Sequence, residues 1–249
     1  MKTGESEMNN IIQIQNLTKA FDGKEVVANC NMNVQKNSIY GFLGANGAGK
    51  TTVLKLITGL LNPTAGKISV MNLDSQESNS EVLRNIGCMI ETPLFYEHLS
   101  ATENLELHLS YMDIQNTNVG EVLNLVGLSS TGNQSVSQFS LGMRQRLGIA
   151  RAIIHKPKIL LLDEPINGLD PMGIKEMREL FLTLVKKENM TIVVSSHILS
   201  EIEYVADKIG VIVDGAIVEE VTLSSIREKY PEGLEEYFLS KMSGGKNNE

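Results

Sequence analysis

The chain has 249 residues, of which 42% are hydrophobic and 21% charged, and its formal net charge is −8. This composition is typical of a globular protein that buries a sizeable core, as one large domain or as one domain with an inserted subdomain. The negative charge argues against a sequence-independent nucleic-acid binder, which needs a basic face, so no nucleic-acid partner is expected. Cys30 and Cys88 are too few for a disulfide framework, which favours a reducing compartment.

The N-terminal segment 1–10 is polar and lacks an apolar core, so it is not expected to be a secretory signal. No stretch of the sequence approaches the roughly 18 consecutive apolar residues that a membrane-spanning helix requires. If the protein acts on a membrane process, we therefore expect another chain to supply the membrane part.

Strand and helix patterns alternate in the next part of the chain, over residues 11–73. A strand is predicted at Ile11–Leu17, a half-buried antiparallel strand at Asn31–Val34, and a strand buried on both faces at Ser38–Leu43. A helix follows at Thr52–Leu60, and a turn leads to a further strand at Lys67–Val70. This alternation is typical of an α/β core.

The segment Gly44–Thr51 lies between the buried strand and the helix. It matches the phosphate-binding pattern G-x-x-x-x-G-K-[ST] at every specified position. Lys50 would neutralise the β- and γ-phosphates, and the Thr51 hydroxyl would ligate Mg²⁺. An ordinary glycine-rich turn is the alternative, but it explains neither the full motif nor its flanking elements. We therefore expect a nucleoside triphosphate here. The expected contacts are Gly44, Asn46, Gly47, Gly49, Lys50, Thr51 and Thr52.

The middle of the chain is predicted to be helical. Ser100 and Glu103 form a capping box that opens one amphipathic helix, and a second helix is predicted at Val119–Val126. A polar loop follows, and a third helix starts close to Ser140. Because these helices follow one another without a clear strand, we expect a helical subdomain at residues 74–155, inserted into the α/β core.

Strand and helix patterns alternate again from about residue 156 to residue 225, as expected for the second part of the core. The predicted elements are a strand at Lys158–Leu162, a helix at Gly173–Lys187, a strand at Met190–Ser195 and a hairpin at Lys208–Val218. Asp214-Gly215 is the expected two-residue turn of the hairpin. The remaining segment, 226–249, is predicted to hold a last short helix at Leu234–Met242 and a frayed tail.

Two carboxylates and a histidine follow the predicted buried strands. Asp163 and Glu164 end one apolar run, and His197 follows another. Ligands of open α/β sheets collect at the carboxyl ends of strands, so Asp163 is expected to hold Mg²⁺ as the acidic partner of Thr51. Glu164 would act as general base, and His197 would hydrogen-bond the γ-phosphate. Taken alone, a solvated acidic turn or a structural histidine would explain each feature; the other three histidines are interpreted as surface or packing residues.

The segment Phe139–Arg146 opens the third helix of the middle region, with Ser140 in an N-cap position. The start of this helix is therefore a second place that can receive an anion. One nucleotide needs only one phosphate loop. We therefore expect that Ser140 serves the nucleotide of another subunit.

Together these motifs resemble the ATP-binding subunits of ABC transporters, over nearly the whole chain from about Ile11 to Val221. Gly44–Thr51 resembles the Walker A loop of that family, and Ile159–Glu164 resembles its Walker B strand. Asn167–Asp170 resembles the D-loop. The resemblance implies catalytic roles for Lys50, Glu164 and the switch histidine His197.

Two further positions follow from the resemblance. Phe139–Met143 stands in the place of the signature Leu-Ser-Gly-Gly-Gln and keeps Ser140 and Gly142, which are expected to contact phosphate. Leu141 and Met143 depart from that pattern. Phe21 falls where the family stacks an aromatic ring on adenine, although a core phenylalanine is the alternative.

Glu91 stands where the family usually has the glutamine of the Q-loop. A carboxylate at this position can still ligate Mg²⁺, but it adds negative charge and offers no amide donor. The substitution resembles the ATPases of lantibiotic self-immunity and bacitracin-resistance exporters, which have a glutamate loop. The neighbouring residues Phe95 and Tyr96 are candidates for docking a membrane subunit, with burial inside the subdomain as the alternative.

The resemblance implies a P-loop NTPase (RecA-like) core with an antiparallel β edge and an inserted helical subdomain. The implied cofactors are ATP and Mg²⁺, and the implied partners are an integral membrane permease subunit and a second ATPase subunit, in an ATP-dependent homodimer. Such a protein would lie in the cytoplasm, on the inner face of the plasma membrane, and would power export of an antimicrobial peptide. The alternative is a soluble, non-transport ABC ATPase. A P-loop kinase or GTPase would leave Ser140 and His197 without a role.

Overall fold

The computed structural model describes residues 9–229 together with Glu235, Tyr237 and Lys241. The polar segment 1–10 and the helix predicted at Leu234–Met242 therefore lie largely outside the described residues. Within the described part of the chain, no helix combines the length and the apolarity that crossing a bilayer requires.

A six-stranded sheet forms the centre of the protein. Its strands are β3 (Ile39–Leu43), β6 (Ile86–Met89), β7 (Ile159–Leu162), β8 (Thr191–Ser196), β9 (Lys208–Val213) and β10 (Ala216–Thr222), in the spatial order β10-β9-β3-β8-β7-β6. All neighbours pair in parallel except β10 and β9. Every residue of β3, β7 and β8 is buried, as expected for strands covered on both faces. The carboxyl ends of these three strands therefore lie side by side.

A second, antiparallel sheet lies at the edge of the core. It contains β1 (Asn10–Phe21), β2 (Lys24–Gln35), β4 (Ala65–Val70) and β5 (Leu73–Asp74), in the order β2-β1-β4-β5. The two sheets meet where the Ala28 N–H donates to the carbonyl of Gly215 over 3.0 Å. The α/β core and its antiparallel edge are thus confirmed, and β1 is longer than the strand that the sequence predicts.

Helix α1 (Lys50–Ile57) follows β3 and fills the space between the two sheets. Its residues Val53, Leu54, Leu56 and Ile57 join one apolar cluster with Tyr40 and Phe42 of β3. Ile39 and Leu43, which alternate with them along the strand, belong to a second cluster on the opposite face. The period-two alternation of a strand thus places one face of β3 against α1 and the other against the second cluster.

The described part of the chain has further helices after α1. They are α2 (Asn79–Arg84), α3 (Ala101–Tyr111), α4 (Val119–Leu125), α5 (Leu141–Ile153), α6 (Pro171–Glu188), α7 (Leu199–Ile202) and α8 (Leu223–Lys229), with short 3₁₀ turns at Ser129–Thr131 and Val136–Gln138. The helices α3 to α8 supply buried residues to the second cluster, whereas Val82 of α2 belongs to the first. The predicted capping box is confirmed, since Ser100 Oγ accepts from the Glu103 N–H and Glu103 Oε2 accepts from the Ser100 N–H.

The segment 74–155 is not purely helical, because β6 lies within it. This strand pairs in parallel with β7 from Ile86↔Ile159 to Met89↔Leu162, so it belongs to the central sheet. This strand is not predicted from the sequence, because four residues that include a glycine are too short to show a strand period. The helical elements after β6 stay a proposed subdomain, whereas the strand itself is part of the core.

Two glycines let the helix α5 approach β6 closely. A Cβ atom at Gly87 would lie 2.0 Å from the carbonyl oxygen of Ala152, and one at Gly148 would lie 2.5 Å from Met89 Sδ. Larger side chains at these positions would push α5 away from the sheet. This contact matters for function because α5 begins at Ser140, one of the candidate phosphate contacts.

The hairpin predicted in the last third of the chain is also confirmed. Val213 pairs with Ala216, and Asp214 and Gly215 form the turn with φ of 47° and 81°. Positive φ at both central residues is the geometry of a type I′ turn, which favours an Asp-Gly sequence.

Candidate active site

The loop between β3 and α1 curves around a point beyond the end of β3. Gly49, the residue before α1, has a φ of 107°, which a side chain would strain, and a Cβ there would lie 2.9 Å from the carbonyl of Val26. The Lys50 ammonium, 6% exposed, donates to the carbonyls of Gly44 over 2.7 Å and Ala45 over 3.1 Å. A cation and the start of a helix therefore lie together at this loop, an arrangement that favours anion binding.

The Asp163 carboxylate lies at the end of β7 and is bound on both sides by hydroxyl groups. Thr51 Oγ1 donates to Asp163 Oδ2 over 2.6 Å, and Ser195 Oγ donates to Asp163 Oδ1 over 2.6 Å. The predicted pairing of Thr51 with Asp163 is thus present. Ser195 was missed by the sequence analysis, although a hydroxyl residue ending a buried strand beside that of Asp163 is a signal that could have indicated it.

These donors fit Mg²⁺. A hydroxyl and a carboxylate oxygen are the hard ligands that Mg²⁺ prefers, and in nucleotide sites one or two protein ligands suffice because phosphates and water supply the others. A cluster of three or more His, Cys, Asp or Glu side chains able to hold a metal without such help is absent from the described residues. The Thr51–Asp163 pair is therefore suited to a metal that arrives with a nucleotide.

Glu164 lies between two nitrogen groups at the same edge of the sheet. Its Oε1 is 3.1 Å from Lys50 Nζ, and its Oε2 is 2.8 Å from His197 Nδ1. Its backbone has a φ of 49°, which is uncommon for a residue with a side chain. His197 is expected from the sequence at the γ-phosphate; the structure places it against the carboxylate of the expected base. The Glu164 side chain is 21% exposed. A partly exposed carboxylate beside an imidazole has the surroundings of a general base.

Ser140 caps the helix α5, as predicted, with its Oγ accepting from the Met143 N–H over 3.3 Å. Leu141 is 46% exposed and approaches the loop after β7, since a Cβ at Gly168 would lie 3.0 Å from Leu141 Cδ2. A cleft of about 790 Å³ borders both the start of α5 and the loop after β7. Among the described residues, no hydrogen bond or ion pair joins Ser140 or Gly142 to the phosphate loop.

Comparison with known families identifies the chain. The ABC transporter family profile matches residues 27–167, which is more than half of the sequence. The chain belongs to the ABC transporter ATP-binding family. It is therefore an ATPase, whose cofactor is a nucleotide. Its loop at residues 44–51 and strand β7 stay the expected Walker A and Walker B motifs.

Relatives of this cassette include ATP-binding proteins named for bacitracin and lantibiotic transport. It is 52% identical to an uncharacterized ABC transporter ATP-binding protein, YcbN of Bacillus subtilis (strain 168), over 92% of this chain and 75% of the relative. It is 46% identical to the bacitracin transport ATP-binding protein BcrA of Bacillus licheniformis, with the same coverage. It is 44% identical to the lantibiotic transport ATP-binding protein SrtF of Streptococcus pyogenes, over 93% of this chain and 97% of the relative.

Solved structures of the family have the same fold. An ATP-binding subunit of an ABC transporter superposes with a TM-score of 0.79 at 26% identity, covering 93% of this chain and 99% of that one. The ATP-binding cassette MJ0796, described as a dimer in a post-hydrolysis state with ADP and Pi, superposes with a TM-score of 0.74 at 26% identity, covering 85% and 98%. The P-loop NTPase fold of the ABC type is therefore confirmed.

Glu91, in the Q-loop position of this cassette, is bound to a lysine. The residue follows β6 with a φ of 63°, and its Oε1 is 2.5 Å from Lys55 Nζ. Lys55 lies on α1, one helical turn after Thr51. The structure therefore brings the Glu91 carboxylate to the helix that carries the expected metal ligand, and it adds a cation that the sequence analysis did not foresee. Its metal-binding role stays a prediction.

Phe21 and the remaining histidines can now be placed. Phe21 is 42% exposed at the end of β1, with Lys19 Nζ 5.0 Å from its ring centre, so it is not a core residue. His155 Nε2–H donates a hydrogen bond to the Ile86 carbonyl over 3.1 Å, and burial lowers the pKa of its imidazole. Burial likewise lowers the pKa of His108. His108 and His155 are thus partly buried, and His98 is exposed, which agrees with the expected surface or packing roles.

We predict that Glu91→Gln raises the Mg²⁺ concentration required for half-maximal ATPase activity about tenfold. The glutamine amide has nearly the same size as the expected carboxylate ligand but carries no charge. The measurement is an Mg²⁺ titration of ATPase activity at saturating ATP. Glu97→Gln is the matched control, since Glu97 lies in the same segment but pairs with Arg144. Equal Mg²⁺ titrations of the Glu91 variant and the wild type would show that Glu91 is not a metal ligand.

Proposed function

We propose that this cassette hydrolyses Mg²⁺-ATP at an interface between two copies of the chain, and that this reaction powers export of an antimicrobial peptide through a separate membrane subunit. The observation that carries the catalytic part is the Glu164 carboxylate, held 3.1 Å from Lys50 and 2.8 Å from His197 at the mouth of the phosphate loop.

Each residue of the Walker site has a chemical task in the proposal. Lys50 neutralises the β- and γ-phosphates, and Thr51 and Asp163 hold Mg²⁺. Bound Mg²⁺ supplies positive charge at the phosphate oxygens. Glu164 accepts a proton from the attacking water, whose oxygen forms the new bond to the γ-phosphorus while the bond to the ADP oxygen breaks. His197 holds the Glu164 carboxylate in position.

The second copy supplies the signature helix. Ser140 and Gly142 lie at the start of α5, a helix of 13 residues whose first amide groups favour an anion. Within the described part of one chain, these residues make no polar contact with the Walker site. A head-to-tail pair would place each signature against the nucleotide of the other copy, and the cassette MJ0796 is described as a dimer. Phe21 would stack on the adenine ring from the same chain as the Walker A loop.

Export is supported by the relatives named for bacitracin and lantibiotic transport. A candidate dock for the membrane subunit is the segment 91–99, in which Leu94 is 83% exposed and Tyr96 is 48% exposed. Phe95 is instead half-buried, with the Arg151 guanidinium 4.8 Å from its ring centre, so it supports the segment from inside. Binding at this segment would place the cassette in the cytoplasm, on the inner face of the plasma membrane.

We predict that Glu164→Gln lowers ATP turnover at least about 100-fold, the usual contribution of a general base, while ATP binding is retained. Without turnover, the two-copy complex should persist with Mg²⁺-ATP and elute as a dimer in size-exclusion chromatography. Thr191→Val removes a hydroxyl at the far end of β8 and serves as a control for general damage. A wild-type ATPase rate in the Glu164 variant would disprove its role as base.

A mixing experiment tests the shared site. Lys50→Ala and Ser140→Arg should each be inactive alone, because each homodimer has two damaged sites. In a mixed dimer, one site combines the intact Walker residues of the Ser140→Arg copy with the intact signature of the Lys50→Ala copy. Mixing equal amounts should therefore restore activity, up to about a quarter of the wild-type rate if the copies assort at random and the sites act independently.

The same mixture can be followed without turnover, in the Glu164→Gln background. There, an ATP-dependent dimer containing one differently tagged copy of each variant should be captured. If the mixture shows neither recovered activity nor a mixed dimer, Ser140 does not complete the site of a second copy.

Export through a membrane subunit is tested in cells. A tagged cassette should co-purify from detergent extracts with an integral membrane protein, and deletion of the cassette gene should increase sensitivity to peptide antibiotics of the bacitracin or lantibiotic type. Leu94→Asp should reduce co-purification while ATPase activity of the isolated cassette is kept, because a charge is costly in an apolar contact. Recovery of the cassette without any membrane protein, together with unchanged peptide sensitivity, would favour the soluble, non-transport alternative.

A further inference from the structure

Ser195 occupies a position that the functional assignments above leave without a role. It is the second-last residue of the buried strand β8, and its side chain is fully buried. Its hydroxyl makes two hydrogen bonds at once: it donates to Asp163 Oδ1 over 2.6 Å, and it accepts from the Glu164 N–H over 2.9 Å. One oxygen atom therefore joins the side chain of the expected metal ligand to the backbone of the expected base.

The first hydrogen bond fixes the plane of the Asp163 carboxylate. A carboxylate turns about a broad, soft torsion, so a single bond at one oxygen does not define its orientation. Ser195 holds Oδ1 while Thr51 holds Oδ2, both over 2.6 Å. This length is typical of a hydroxyl bound to an ionised carboxylate, which is about twice as strong as a neutral pair. With Ser195 in place, Asp163 keeps Oδ2 directed at the residue that shares the metal.

The second hydrogen bond holds an uncommon backbone conformation. Glu164 has a φ of 49°, in the left-handed region that residues with side chains adopt at a cost. Such conformations persist where surrounding contacts enforce them. The Glu164 N–H is bound by Ser195, and the side chain that leaves this backbone reaches Lys50 and His197. The Ser195 bond therefore helps to direct the base.

We propose that Ser195 is a positioning residue that sets the orientation of Asp163 toward the metal and, through the Glu164 backbone, the placement of the general base. The proposal rests on the proposed function of the Walker site. It assigns to Ser195 a contribution to Mg²⁺ use and to turnover. It assigns no contribution to metal-free nucleotide binding, which depends on the phosphate loop.

The main test compares Ser195→Ala with Thr191→Val. Thr191 lies on the same strand, is equally buried, and its Oγ1 also accepts a backbone N–H, that of Asn37, but at the opposite end of β8. Both variants lose a buried hydroxyl, so thermal melting should show similar destabilisation. We expect only Ser195→Ala to raise the Mg²⁺ half-saturation of fluorescent-ATP binding about tenfold and to lower kcat about tenfold or more.

Two readouts separate positioning from general damage. Affinity for the fluorescent nucleotide in EDTA should stay within about twofold of the wild type in Ser195→Ala. The Mg²⁺ shift should also appear in a Ser195→Ala, Glu164→Gln double variant, in which turnover no longer contributes to the measurement. Ser195→Cys, which keeps the volume but bonds weakly, should behave as Ser195→Ala does and replaces it if that variant does not fold.

Rescue by a hydroxyl completes the design. Ser195→Thr should keep an Mg²⁺ half-saturation within about threefold of the wild type, since it keeps the donor and acceptor. A Thr variant with the Mg²⁺ response of the Ala variant would overturn the proposal, as would an Ala variant that matches Thr191→Val. If instead Glu164→Gln retained wild-type turnover, the proposed function of the site would fail, independently of the Ser195 result.

Discussion

A buried carboxylate, Asp163, holds the nucleotide site together. It is 9% exposed, and an ionised group so far from water requires hydrogen-bond donors around it. The donors come from two other parts of the chain, Thr51 at the start of α1 and Ser195 at the end of β8. The phosphate loop, the Walker B strand and the strand before His197 are thereby fixed to one another at a single point.

The order of the strands makes this arrangement possible. Leu43 of β3 pairs with Ser196 of β8, and Leu162 of β7 pairs with Val194 of the same strand. Parallel pairing in this register places the residues that follow each strand at one edge of the sheet. Asp163 and Ser195 thus face each other because their strands are neighbours. The packing of α1 between the two sheets then brings Thr51 to the same edge.

The helix α5 is attached to the candidate docking segment, residues 91–99, more firmly than to the Walker site. Arg144 forms a bidentate ion pair with Glu97, with distances of 2.6 Å and 2.7 Å, and Arg151 donates to the carbonyl of Leu94 over 2.7 Å. Both arginines lie on α5, downstream of Ser140. Movement of the segment 91–99 would therefore be transmitted to α5. Two residues that depart from the family pattern lie in these elements: Glu91, which pairs with Lys55, and Leu141, which packs beside Gly168.

Features that depend on local chemistry are visible in the sequence. The Walker A loop, the two carboxylates ending β7, the Ser140 cap and the Asp214-Gly215 turn each require particular residue types at short spacing, so their patterns are visible in one dimension. The tertiary structure alone decided which distant residues meet. The strand β6, the Ser195 bridge, the Lys55–Glu91 pair and the contact of His197 with Glu164 all depend on strand order and helix packing, because their partners lie tens of residues apart in the chain.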